Sequence, residues 1–213
     1  MAIDFYYGSG SAYAWRVWLS LEHKQLAYNL HVLSFSAGDT RKPAYLAINP
    51  RHQVPALVDD GFALYESSAI CEYLDEVYSA RPLLPKAPRE RAIARRMVLE
   101  ADHHFAAAGN LVARQVFFKP EAEWDAKAIE EGRLRLLDEL ASWERAAQRG
   151  WLVGDGPGLA DYALYPFMAT IARYEKKKPD LGLSAAIGPN LAAWMKRIEA
   201  LPYLGKTTPP HWK

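Results

Sequence analysis

The chain has 213 residues, half of them hydrophobic, with 26 basic against 25 acidic side chains, a net charge of +1 and one cysteine. That is apolar material for one large domain or two small ones, which excludes a disordered chain. The near-zero charge supplies no field to gather nucleic acid or an anionic membrane, so the ligand is read as a small molecule.

Cys71 alone forms no intramolecular disulfide, and no Cys/His group has zinc spacing, so no metal is expected. The first residues, Met1-Ala2-Ile3-Asp4, lack a leader pattern, and no run approaches the roughly 18 apolar residues of a membrane span. The reading is a soluble, cytoplasmic protein.

Ile3–Tyr7 is a β-branched and aromatic run, followed by Gly8-Ser9-Gly10-Ser11 and then by Trp15, Val17, Trp18, Leu19 and Leu21 at helical spacing. Leu26–Leu33 reads as a second strand and Pro43–Ile48 as a short helix begun by its proline and stopped by Asn49-Pro50. Ala56–Val58, the turn Asp59-Asp60-Gly61 and Phe62–Leu64 make a hairpin, and Ser67–Tyr78 an amphipathic helix. The order is βαβαββα.

Residues 81–89 lie in a proline-rich stretch, Ser79–Arg89, and form the predicted linker. Beyond it, Arg89–Val116, Trp124–Arg149, Leu159–Tyr174 and Leu191–Leu201 carry helix-period apolar residues. The predicted division is therefore 1–80, a linker at 81–89, and an all-helical 90–213. Formal charges of −4 over residues 1–80 and +5 over the remainder support it. The expected fold class is α+β, and Pro55 sits awkwardly at the start of a strand, since proline gives no N–H to a ladder.

Two motifs carry more. Asn49-Pro50-Arg51-His52-Gln53-Val54-Pro55-Ala56-Leu57, followed by Leu64-Tyr65-Glu66-Ser67-Ser68-Ala69-Ile70 and Tyr73-Leu74, closely resembles the soluble glutathione transferases. Gly154 to Asp161 followed by Pro166 resembles that family's helix-start motif, with Gly158 at the usual Ser/Thr position. The resemblance covers nearly the whole chain. It implies a thioredoxin-like domain before the helical one, and a cis bond at Val54-Pro55, although only about 5–6% of such bonds are cis in general. It also implies glutathione as co-substrate, a small hydrophobic electrophile as its partner in reaction, and a homodimer.

On this resemblance the glutamyl carboxylate falls to Ser67, at a helix N-terminus suited to anions, and the glutamyl ammonium to Glu66. Val54, set by Pro55, offers main-chain hydrogen bonds to the peptide as an added strand would. Gln53, His52 and Lys42 are candidates for the glycyl carboxylate, with Gln53 best placed. Ser11-Ala12-Tyr13-Ala14-Trp15-Arg16-Val17 resembles the zeta-like form, with Ser11 five residues before the Arg-Val pair. Ser11 is thus the candidate thiol activator, Ser9 its nearest rival, and Tyr6 or Tyr7 weaker ones. Arg16 either orients the helix start, holds a carboxylate, or makes an inter-domain salt bridge.

The electrophile site is sought at His104, Phe105, Ala108, Val112 and Phe117 together with Tyr13, although the helical period explains several of these as core. Cys71 reads as packing and the adjacent His103-His104 as a poor metal pair. Conjugation and glutathione-dependent isomerisation, as in the zeta class, both stay open. The alternatives are a non-catalytic binder of glutathione or hydrophobic ligands, and a dimeric structural module.

Overall fold

The computed structural model describes residues 3–212, which divide into two compact units, Met1–Leu84 with Leu201–Lys213, and Pro85–Ala200. In the first unit, strands β1 (Ile3–Gly8), β2 (Tyr28–Leu33), β3 (Ala56–Asp59) and β4 (Phe62–Tyr65) form one mixed sheet in the order β2-β1-β3-β4. β2 is parallel to β1; β3 is antiparallel to both β1 and β4.

The alternation in β1 builds the layers. Ile3, Phe5 and Tyr7 are buried on one face, where the Tyr7 ring meets Trp18 of α1 (Ala12–Lys24) edge-on at 4.9 Å. Tyr6, on the opposite face, stacks on His31 and meets Tyr45 of the short α2 (Pro43–Leu46). α3 (Ser67–Val77) packs beside α1. The expected βαβαββα order is present.

Local chemistry explains where the boundaries moved. β2 starts at Tyr28, not Leu26, because α1 ends in a Schellman-type closure: Gln25 is left-handed at φ 54° and Leu26 N–H donates to the Leu21 carbonyl. The hairpin loop is Asp60-Gly61, with φ of 49° and 85°, the paired positive values of a type I′ turn that suits twisted strands. The proline-rich stretch is anchored at its end. Asp75 accepts from the Leu83 and Leu84 N–H groups and from buried Lys24, which also donates to the Ala80 and Arg81 carbonyls.

The second unit is helical: α4 (Pro88–Glu100), a π-helical turn at Ala101–Phe105, α5 (Ala106–Val116), α6 (Ala126–Ala146), α7 (Leu159–Met168), α8 (Ile171–Lys177) and α9 (Pro189–Glu199). Every residue of α7 is buried, as a central helix requires. The single helix expected over Leu159–Tyr174 is broken after Met168, where the Thr170 hydroxyl donates to the Phe167 carbonyl. One further short helix, α10 (Leu204–Thr207), belongs to the first unit. The expected 90–213 domain therefore gives up its last segment to the sheet domain.

α5 and α6 approach closely at Gly132. A Cβ there would lie 2.9 Å from both Leu111 Cβ and Val112 Cγ2, and 3.0 Å from the Ala108 carbonyl oxygen. Gly132→Ala is accordingly expected to cost about 2 kcal/mol by overpacking, despite alanine's better helix propensity. Denaturant unfolding measures it, and a gain in stability would refute the close-packing account.

Candidate active site

The topology brings three loops to one end of the sheet. Tyr6, Ala56 and Tyr65 share a row across β1, β3 and β4. The turn after Gly8, the loop before Ala56 and the start of α3 after Tyr65 all leave that same edge. Contact confirms the convergence: a Cβ built on Gly8 would lie 3.0 Å from Val54 Cγ2.

Gly8-Ser9-Gly10-Ser11 is a four-residue turn closed by Ser11 N–H to the Gly8 carbonyl at 3.1 Å. Gly10, at φ 91°, takes the position that favours glycine in a type II turn. Ser11 then caps α1, its Oγ accepting from Ala14 N–H at 3.2 Å. Capping uses a lone pair, so the hydroxyl proton remains to be donated. No acidic residue lies in the first turn of α1 to offset its positive end.

The rival hydroxyls are differently employed. Ser9 Oγ lies 3.1 Å from His211 Nδ1. Tyr7 is 2% exposed, its oxygen accepts from Gly10 N–H, and burial raises its pKa, which keeps it protonated. Tyr6 is on the other face of the sheet, against His31.

At the start of α3, Glu66 has φ 72° and Ser67 is the first helical residue, buried and with no acidic neighbour in that turn. The Arg16 guanidinium, fully buried, donates from Nη1 to Ser67 Oγ at 3.1 Å and Ser68 Oγ at 3.0 Å. These contacts place Arg16 at the start of α3. Its ring partner is Tyr13, with the guanidinium carbon 5.6 Å from the centroid.

The third loop is organised by residues that sequence reasoning passed over. Asn49, read only as a helix stop, is 2% exposed; its Nδ2 donates to the Gln53 carbonyl at 2.9 Å and its Oδ1 accepts from Arg51 N–H. The Tyr45 hydroxyl donates to the same Gln53 carbonyl. Asn49-Pro50, with the asparagine four residues before Gln53, was the available signal. The Val54-Pro55 bond is cis, and Val54 makes no main-chain hydrogen bond among the described residues. Gln53 and His52 are exposed, His52 at φ 48°. Lys42 is 62% exposed and paired with Asp39 at 2.6 Å, the arrangement of a surface ion pair.

In the second unit the five electrophile candidates separate. Phe105, Ala108 and Val112 are 1%, 1% and 0% exposed; their side chains fill the helical core and offer no surface, which corrects the expectation that they line a ligand site. Phe117 stacks near Tyr174 and under Arg173. His104 faces a cavity of about 330 Å³ whose lining mixes the charged Arg96, Glu100 and Glu139 with Met97, Trp143 and Ala146. Buried Cys71 contacts Ser20. Among the described residues no group of three or more His, Cys, Asp or Glu side chains is placed to hold a metal, and no helix is long and apolar enough to cross a membrane.

Comparison with known proteins adds a second line of observation. Residues 10–77 match the family described as "Glutathione S-transferase, N-terminal domain", and residues 101–202 match "Glutathione S-transferase, C-terminal domain". Glutathione S-transferase A of Pleuronectes platessa is 30% identical over 97% of this chain and 91% of its own length. A maleylacetoacetate isomerase of Pseudomonas aeruginosa is 35% identical over 82% of each. Among solved structures, a theta class glutathione S-transferase from Xanthomonas axonopodis pv. citri with glutathione bound superposes with a TM-score of 0.84 at 28% identity, covering 97% of this chain and 96% of that one.

Proposed function

Because this chain belongs to the glutathione S-transferase family, we propose that it activates the glutathione thiol at Ser11 for attack on a small electrophile. The observation that carries this reading is the capped Ser11, which keeps a proton to donate where the loop bearing Val54 and the turn after β1 meet. Glutathione lies with its cysteinyl main chain against the open N–H and C=O of Val54. Its glutamyl carboxylate accepts from Ser67 and the α3 amides, and Glu66 takes the ammonium. Gln53 and His52 serve the glycyl end, with the paired Lys42 at its margin.

The magnitudes are adequate. Lowering a thiol pKa by about two units requires about 2.7 kcal/mol. A hydrogen bond to a charged group contributes roughly 1.5–3 kcal/mol, and a helix N-terminus about 1 more. The thiol proton leaves to solvent, and the sulfur lone pair forms the new S–C bond as the electrophile's leaving group departs with its bonding pair.

The relative named maleylacetoacetate isomerase favours a second reading, in which the thiolate adds to a double bond and is later expelled, so that glutathione is regenerated. Assays with chlorinated aromatics and with maleyl compounds separate the two. The proposal extends to a cytoplasmic homodimer, for which light scattering reads twice the 24.0 kDa chain mass.

Millimolar glutathione is expected to raise the unfolding temperature, since ligand at 100 times its Kd stabilises the native state by about 2.7 kcal/mol. Ser67→Ala is expected to raise the Kd about tenfold, through loss of one charge-assisted hydrogen bond, while turnover at saturation is largely kept. Absence of any thermal shift would overturn the glutathione reading itself.

A further inference from the structure

We propose that His211 is a positioning residue for the thiol site, holding the Gly8–Ser11 turn through Ser9 so that the Ser11 hydroxyl is aimed; this rests on the reading of Ser11 as the thiol donor. The segment from Leu201 onward belongs to the first unit and runs along α1. Thr207 Oγ1 accepts from Trp15 Nε1 at 3.0 Å in a buried bond, and Lys206 pairs with Glu22. Farther on, Trp212 meets the Trp15 ring edge-on with centroids 5.2 Å apart.

His211 is thereby carried onto the turn. Its Nδ1 is 3.1 Å from Ser9 Oγ, and a Cβ built on Gly10 would lie 3.2 Å from its Nε2. The neighbouring indole fixes the tautomer. Trp212 Nε1 is a donor only and lies 3.0 Å from His211 Nε2, so Nε2 accepts and the neutral ring carries its proton on Nδ1. Nδ1–H therefore donates to Ser9 Oγ.

Direction matters here. With Ser9 Oγ accepting from His211, its own proton is directed away from His211, while the Tyr7 hydroxyl accepts from Gly10 N–H at 3.4 Å. Trp212 and His211 thus hold Ser9, and Tyr7 holds Gly10, so both central residues of the turn, of which Ser11 is the last, are clamped. The turn has one closing main-chain bond and two glycines, whose backbones are the most permissive. A catalytic group misplaced by about 1 Å loses on the order of 100-fold in rate, so a clamp on this turn is a requirement of the chemistry as well as of the fold.

The test compares His211→Phe, His211→Asn and Ser9→Ala in the full chain. The thiol pKa of bound glutathione is followed by thiolate ultraviolet absorbance, turnover with a chlorinated nitrobenzene, and glutathione Kd by calorimetry. His211→Phe is expected to raise the thiol pKa by about half to one unit, lowering the thiolate fraction about 3- to 10-fold, with Kd changed less than about twofold. His211→Asn, whose amide nitrogen occupies the Nδ1 position, should restore most of it. Ser9→Ala added to His211→Phe should cost little more, since both remove one link. An unmoved thiol pKa in His211→Phe, or a shift that asparagine does not reverse, overturns the proposal. An unmoved pKa in Ser11→Ala overturns the reading of Ser11 instead, and the route through it.

Discussion

Asp161→Ala is expected to lower the unfolding free energy by about 4 kcal/mol, because two buried and one half-buried N–H donors lose their acceptor together. Asp161 is fully buried at the third position of α7. Its Oδ1 accepts from Trp194 Nε1 at 2.7 Å and Leu152 N–H at 3.1 Å, and its Oδ2 from Gly158 N–H at 2.9 Å. Gly158 has no side chain, so only half of a capping box exists, and the carboxylate carries the helix start alone. Three elements of the second unit therefore share one acceptor.

The same residue gives stability a pH dependence of definite sign. Burial pushes the Asp161 carboxyl up to about 6, from an ordinary value of 3.8, against the opposing pull of its donors. The native state then binds more protons than the unfolded chain between about pH 4 and 6, so this group's contribution falls as pH rises through that window and is level above it. Asp161→Asn removes the titration. Its cost is expected to grow by about 2 to 3 kcal/mol on going from pH 7 to pH 4, at about 1.36 kcal/mol per unit. Urea unfolding at the two pH values measures it, and a cost that shrinks toward pH 4 would refute the burial account.

Ser11→Ala is expected to reduce turnover about 100-fold and to raise the thiol pKa of bound glutathione by about 1.5 to 2 units, the equivalent of one hydrogen bond to an anion. Glutathione Kd should change less than about threefold, because on the proposed reading Val54 and Ser67 hold the peptide elsewhere. Stability should drop by about 1 kcal/mol, since the cap is lost as well. Ser11→Asp separates the two roles. Aspartate caps a helix as well as serine does, but it sets a negative charge beside the sulfur. That variant should be as stable as the parent and inactive; unchanged turnover in Ser11→Ala would show that another group activates the thiol.

Much of the first unit was legible because its signals are local. The β1 run, the Asp60-Gly61 turn and the amphipathic α3 each act within a few residues, and the structure shows all three. What was not legible depends on distant partners. Beyond the Asn49-Pro50 pair, nothing near Gln53 indicates that the Tyr45 hydroxyl also fixes its carbonyl, and no periodicity announces that residues after Leu201 return to α1. Phe105, Ala108 and Val112 show why helical spacing alone is ambiguous: the same stripe fits a cleft or a core, and here it is core. For Arg16 the sequence left three roles open, and its contacts with Ser67 and Ser68 depend on residues some fifty positions away.

That placement has a bearing on ligand length. Ser11 and Arg16 sit on one rigid helix, and Arg16 reaches across to the first turn of α3. On the proposed reading, the gap between Ser11 at the sulfur and Ser67 at the glutamyl end is gauged by α1, which holds both Ser11 and the Arg16 that reaches Ser67. A substitution that slackens a loop alters how firmly the peptide is gripped. If glutathione binds as proposed, the span of peptide that fits is set by five residues of helix.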